Sequence, residues 1–550
     1  MPETEPLMAN GSTDLSWWRH AAIYQVYVRS FADGNADGTG DIAGVRSRLQ
    51  YLADLGVDAI WFNPWYPSPM ADAGYDIADY RDIEPVFGTL PEAEALIAEA
   101  HALGIRVIID IVPNHGSDEH AWFKAALAGG PEAPERDLFW FRPGKGGNGE
   151  LPPNDWNSIF GGPAWTRSTN PDGGPGEWYL HLFAPEQPDW NWDNPKVHEE
   201  FEAVLRFWLD RGVDGIRIDS AALLIKDASL GDFTEGVTEG QHPFIDIPAV
   251  HDVYRAWRRL SDSYPGERIL IGEVWLPDRE RFTQYLRPDE LHTAFNFDFL
   301  GAAWDAARMR SVIEGTLADH APAAASPTWV LSNHDVVRHV TRYGRGDTSF
   351  SMDNRRLGEF SDFELGTRRA RAAILVTFAL PGAVYVYQGE ELGLSEVEDL
   401  PEELLQDPIW PRSGYTDKGR DGARVPIPWS GDASPFGFNS EGVEPWLPQP
   451  AEWKSLTVAA EDGDPDSMLE LYRSALHCRR QVASLALPDL SWLPTADGVL
   501  GFARGDDFVC VANTSGGPVD LPPHKSVLLS SVPLVNDQLP SDAAVWLKSE

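Results

Sequence analysis

The stretch DGIRIDS (214–220) decides the fold: an apolar strand carrying Arg217 runs out onto Asp219. ILIGEVW (269–275) and WVLSNHD (329–335) have the same build, with Glu273 and Asp335 closing apolar runs. A parallel barrel exposes the C-terminal ends of all its strands on one face, so carboxylates far apart in sequence converge there.

Outward from these three stretches, strand-like and helix-like segments alternate from residue 22, the pattern of parallel β/α units. AIYQVYVRSF (22–31), VDAIWFNP (57–64) and RVIIDIVPNH (106–115) read as the first three strands, with DGIRIDSA fourth and RILIGEVW fifth. TAFNFDF (293–299), PTWVLSNHD (327–335) and AVYVYQGEE (383–391) complete eight, enough to close a (β/α)8 TIM barrel. Residues 116–190 break the rhythm with Gly, Pro, Asn and Trp, so an inserted subdomain is expected over the barrel mouth. The predicted organisation is a barrel of 14–115 and 191–484, an insert of 116–190, and a small all-β domain of 485–550.

The chain has 550 residues, with 85 Asp and Glu against 44 Lys and Arg, a formal charge of -41. That field repels phosphate backbones and anionic lipid, which argues against nucleic-acid and membrane partners and leaves neutral ligands compatible. The acid itself reads mostly as a solvated surface. Cys478 and Cys510 are the two cysteines, one in an apparent helix and one in an apparent strand, so no disulfide framework is expected. The start, MPETEPLMANGSTDLSWW, lacks a basic region and an apolar core, and no later segment is apolar enough to span a bilayer. A cytoplasmic protein, monomer or homodimer, is the expectation.

One Asp at a strand end often just caps the next helix. Three such carboxylates with polar companions (Arg217, His334, and Asp110, Asn114 and His115 ending the third strand) need a shared hydrated or ligand-filled cleft. Retaining glycoside cleavage needs one carboxylate as nucleophile and a second as proton donor, about 5 to 5.5 Å apart. Arg217 shares a strand face with Asp219, where its charge should lower that carboxyl's pKa. Glu273, after an apolar run and before Trp275, should be raised by desolvation into an acid. Asp335 would then hold sugar hydroxyls.

DIVPNH, GIRIDS, GEVW and SNHD, in this order and at these strand ends, resemble the four characteristic segments of glycoside hydrolase family 13, the alpha-amylase superfamily. The resemblance implies a retaining α-glycosidase with Asp219 as nucleophile, Glu273 as acid/base and Asp335 as transition-state stabiliser. It also implies sugar contacts by His115, Arg217 and His334. QPDWNWDNPKV (187–197) and WYLHLF (178–183) look like the oligo-1,6-glucosidase and α-glucosidase branch, with Trp190 where Leu is usual. In that branch an Asp and Arg pair binds the non-reducing end. Tyr75 and Asp76 in GYDIADY and Arg424 in ARVPIPW are the residues expected at that pocket, an ion pair on the cleft rim being the alternative. In relatives the residue after the nucleophile tends to be Val in α-1,6-specific enzymes and Ala or Thr in α-1,4-specific ones, and the small, polar Ser220 here points towards α-1,4 substrates.

The loop DGNADGTGD (33–41) offers oxygens at alternate positions between glycines, a pattern that cages a hard cation. Asp33, Asn35, Asp37, the Thr39 carbonyl and Asp41 are the expected ligands of a structural Ca²⁺ or Mg²⁺, against the alternative of a metal-free turn. The second calcium site of endo-acting amylases looks absent, because Ala222 and Leu223 stand where those enzymes have Lys and His. No organic cofactor is expected. The functional expectation is an exo-acting α-glucosidase taking short α-glucosides such as maltose and transferring glucosyl groups to acceptors. A sucrose- or trehalose-converting transferase on the same scaffold is the second reading, and a non-catalytic barrel subunit the third.

Overall fold

The computed structural model describes residues 16–233, 242–352 and 355–549. Residues 1–15, on which the reading of the N-terminal stretch and the first barrel boundary rests, lie outside them. Eight strands form one parallel sheet: β1 (Ala22–Val26), β2 (Ala59–Phe62), β3 (Arg106–Ile111), β4 (Gly215–Ile218), β5 (Ile269–Gly272), β6 (Thr293–Ala294), β7 (Thr328–Val330) and β8 (Ala383–Tyr387). Their order is β7-β8-β1-β2-β3-β4-β5-β6.

Every barrel strand is buried on both faces, which explains its near-continuous Val, Ile and aromatic composition. Alternate residues divide between two cores: Ile23, Trp61, Ile108, Ile271 and Tyr385 fill the barrel interior, while Tyr24, Ile60, Val107 and Ile109 pack towards the helices. Trp17 and Trp18 join the interior cluster. Around the sheet run helices such as Pro195–Asp210, which starts where the Asn194 side chain accepts from the Lys196 N–H and Pro195 occupies the first turn.

The strands are shorter than expected from sequence. TAFNFDF contributes two strand residues before Phe297–Leu300 turns helical, and AIYQVYVRSF gives way to a 3-10 turn at Val28–Ser30. At the β6–β7 seam no backbone ladder is formed. Hydroxyls join the two strands instead: Thr328 Oγ1 donates to the Ala294 carbonyl and accepts from the Asn296 N–H, and Thr293 Oγ1 donates to the Ser326 carbonyl.

Between β3 and the helix Pro195–Asp210, three short strands (Phe141–Arg142, Trp165–Thr169, Pro175–Leu180) pair antiparallel, and Trp140, Trp156, Trp165 and Leu180 pack with Leu223 and Phe244. The chain's last part carries a five-stranded antiparallel sheet. Trp546 there donates to the Leu375 carbonyl, fastening it to the helix Phe363–Ala379. Cys478 and Cys510 are both free thiols. Among the described residues, no helix is long and apolar enough to cross a membrane.

Candidate active site

Strand register assembles the site. Asp110 on β3 lies opposite Arg217 on β4, and Ile218 opposite Gly272 on β5, so Asp219 and Glu273 leave neighbouring strand ends side by side. Arg217, with 2% of its surface exposed, then joins three carboxylates. Its Nη1 donates to both oxygens of Asp110 at 2.9 Å and to Asp219 Oδ1 at 2.7 Å, and its Nη2 to Glu273 Oε2 at 2.6 Å. Ser220 ties the pair together again: its backbone N–H donates to Glu273 Oε2 and its hydroxyl to Asp219 Oδ2. Ser220 is itself left-handed, at φ 47°, a conformation disfavoured for a residue with a Cβ.

One guanidinium cannot neutralise three carboxylates. Burial pushes Asp219 up to about 6 against the pull of Arg217, and pushes Glu273 and Asp110 each up to about 7 against the same pull. The expected lowering of Asp219 by Arg217 is present but smaller than the desolvation it opposes. Glu273 is raised as expected, by burial first and by its anionic neighbours Asp219 and Asp335 after it. Asp335 differs. Burial opposes its ionisation too, but His334, Arg420 and Arg424 hold it well below the usual carboxylate range. His334 is itself pulled down by burial to about 3, so at neutral pH the two guanidinium groups carry that effect. They stand 3.2 and 3.1 Å from Asp335 Oδ1.

The carboxylates face a cavity of about 310 Å³. Tyr75 lines it, stacked on His334 with ring centroids 5.2 Å apart and donating its hydroxyl to Asp110. His115 lines it beside Phe183 and is kept neutral by burial, its pKa near 4. Phe160, Ala222, Leu223, Trp275 and Met352 make the apolar wall. Asp72 and Arg420 close the polar side, joined at 2.5 Å.

That last pair replaces the expected one. Asp76 is fully buried outside the cavity lining, its oxygens accepting from the Ser68 hydroxyl and the Ala71 and Asp72 N–H groups. It shapes the turn that presents Asp72. Arg424, also fully buried, stands behind Asp335 and donates to the His334 carbonyl. Asp72 and Arg420 each precede the expected residue by four positions, in ADAGYD and KGRDGAR. The duplicated Asp and the duplicated Arg were visible in the sequence, but loop residues carry no periodicity by which to choose between them.

In the acidic loop, Asp33 accepts from the Ala36 and Gly38 N–H groups, Asn35 from Asp37, Asp37 from Thr39, and Asp41 from Gly34, Asn35 and Gly44. Among the described residues, no group of three or more Asp, Glu, His or Cys side chains is gathered as a metal centre. Near Ala222 and Leu223, the ammonium of fully buried Lys226 sits among oxygens of Asp189, Asn114 and the Leu223 carbonyl, all within 2.8 Å. A side-chain cation thus neutralises that oxygen cluster.

Residues 25–487 match the model of the alpha-amylase catalytic domain. The chain is 39% identical over 535 residues to a probable alpha-glucosidase of Rhizobium meliloti (strain 1021), covering 91% of this chain and 90% of that one. It is 34% identical over 501 residues to an oligo-1,6-glucosidase of Parageobacillus thermoglucosidasius, covering 84% of each. The crystal structure of the trehalulose synthase MutB from Pseudomonas mesoacidophila MX-45 superposes with a TM-score of 0.83 at 30% identity, covering 97% of this chain and 99% of that one. The chain belongs to the alpha-amylase family and is a glycoside hydrolase of its α-glucosidase group.

Two expectations follow. Turnover that needs Asp219 ionised and Glu273 protonated rises as pH climbs through about 6 and falls as it passes about 7, the limbs belonging to the coupled pair. A kcat/KM profile on a neutral substrate, measured from about pH 4 to 9, should be bell-shaped and narrow, and a flat one contradicts the assignment. Asp72→Asn should lower kcat/KM by about 10- to 100-fold, the worth of a charged hydrogen bond, whereas Asp76→Asn should leave kcat/KM within about threefold and reduce stability by about 1 to 3 kcal/mol. Steady-state kinetics and urea unfolding of both variants separate these roles.

Proposed function

We propose that the chain is a retaining, exo-acting α-glucosidase that removes a terminal glucose from short α-glucosides such as maltose and passes it to water or to another hydroxyl. The observation that carries this reading is the Arg217 fork, which holds Asp219 and Glu273 on two nitrogens of one planar group. Such an arrangement suits the separation of about 5 to 5.5 Å used in retention.

In the first half-reaction an Asp219 oxygen attacks the anomeric carbon. The bond from that carbon to the glycosidic oxygen breaks, and the departing oxygen takes its proton from Glu273. In the second, the Glu273 carboxylate removes a proton from water or an acceptor hydroxyl, whose oxygen displaces Asp219 from the anomeric carbon. Asp335, ionised under Arg420 and Arg424, accepts from sugar hydroxyls and favours positive charge developing on the ring. The Asp72–Arg420 bridge gives the pocket a charged end wall, which suits a chain end better than a passing polymer. The small Ser220 beside the nucleophile supports a preference for α-1,4 links.

The likeness to a trehalulose synthase favours one second reading, in which a glucosyl group from sucrose or trehalose is returned to a sugar. Glucose release from maltose, isomaltose, sucrose, trehalose and starch distinguishes the two: free glucose from maltose and none from starch is expected, and a rearranged disaccharide from sucrose would replace the first reading with the second. Asp219→Asn should remove activity by about 10⁴-fold or more, and full activity in that variant would end both.

We also propose that the loop 33–41 holds a structural Ca²⁺ or Mg²⁺ through Asp33, Asn35, Asp37, the Thr39 carbonyl and Asp41, since Asp37, accepting one N–H, and Asp33, accepting one on each oxygen, keep lone pairs for a hard cation. EDTA should then lower the melting temperature and Ca²⁺ restore it, with Asp37→Ala insensitive to both. A melting curve indifferent to chelator removes the cation from the account.

A further inference from the structure

Glu273 keeps its two carboxyl oxygens in different company. Oε2 accepts from the Arg217 guanidinium at 2.6 Å and from the Ser220 N–H at 3.0 Å, which engages both of its lone pairs. Oε1 accepts from the indole N–H of Trp275 at 2.8 Å, and its second lone pair is the place left for a proton. The indole therefore fills one lone pair of Oε1 and directs a proton there to the other, with the Asp219 carboxyl as the neighbouring hydrogen-bonding group.

Trp275 is not placed like a packing tryptophan. It is 37% exposed, lies flat on Phe297 with centroids 3.4 Å apart and planes within 10°, and forms the partition between the catalytic cavity and a second one of about 350 Å³. A ring holds it on one face and its N–H aims it at Glu273.

We propose that Trp275 is a positioning residue for proton transfer: its N–H reserves Oε1 of Glu273 as the oxygen that protonates the leaving group and later deprotonates the acceptor. This rests on the reading of Glu273 as acid/base. When the glycosidic bond breaks, the Oε1–H bond breaks with it. The proton passes to the departing oxygen and the electron pair stays on Oε1, where the indole N–H stabilises the new charge. In the return step Oε1 takes the proton of water, and the same N–H turns it towards that proton. The charged groups facing Glu273 are Arg217 and Asp219 from β4, Asp110 from β3 and Asp335 from β7. Trp275 is neutral, so replacing it alters hydrogen bonding without altering charge.

Trp275→Phe keeps a ring on Phe297 and removes the donor. In kcat/KM, which extends only to cleavage of the glycosidic bond, its loss should be about tenfold greater with methyl α-glucoside, whose alkoxide needs the proton, than with p-nitrophenyl α-glucoside, whose phenolate departs with little help. The basic limb of its pH profile should move to higher pH, because the ionised carboxylate has lost a donor. Phe297→Leu retains the N–H but loosens the ring that carries it, and should show the same leaving-group bias at smaller amplitude. Equal losses on both substrates, or no bias in either variant, overturns the proposal. Glu273→Gln separates this failure from a deeper one: a steep leaving-group dependence there upholds the acid assignment, and its absence removes Glu273, not just Trp275, from proton transfer.

Discussion

Everything at the barrel mouth depends on one buried cation. Arg217 serves Asp110, Asp219 and Glu273 at once, and its charge is too small for all three. Removing two or more carboxylates from water costs several kcal/mol each, which a single guanidinium in a low-dielectric site offsets only in part. The shortfall is the source of the site's chemistry. It leaves Glu273 and Asp110 raised to about 7 and Asp219 to about 6, a spread of proton affinities of the kind acid/base chemistry uses. A second cation at this point would ionise them all and remove the acid.

Asp335 shows the opposite balance on the facing strand end. Two guanidinium groups serve one carboxylate there, and it stays charged at any physiological pH. Arg420 also binds Asp72 and Asp407, so the residue that closes the pocket belongs to the same ionic network as the third carboxylate. Asp72 on the cavity wall is thus linked to Asp335 through Arg420. Tyr75 makes a similar link on the other side, stacking on His334 and donating to Asp110.

Much of this was legible in the chain because barrel strands carry strong periodic signals and deposit their last residues on one face. Asp219, Glu273, Asp335, Arg217 and His334 could be placed together from position alone. The Asp–Arg pair that lines the cavity could not, since Asp72 and Arg420 sit in irregular loops where Asp76 and Arg424 offer the same chemistry four residues on. The net shift of Asp219 was equally out of reach. Its sign depends on a contest between burial and a neighbouring charge, and depth is a property of the folded molecule. Strand ends were read too long for a related reason: apolar residues such as Phe297 and Val28 continue the composition of a strand after the backbone has turned away.

The β6–β7 seam gives the barrel a property that a fully laddered sheet lacks. A continuous hoop spreads any deformation over all its rungs, whereas a split ring yields at its gap. Here the gap is bridged by two threonine hydroxyls, and its lips carry different parts of the machinery. β6 runs into Phe297, the platform beneath Trp275, while β7 runs into Asp335. The slit therefore divides the ring that carries Trp275 from Asp335, while the Arg217 fork lies wholly on the laddered side, so the barrel resembles a caliper whose two jaws hold different parts of one site.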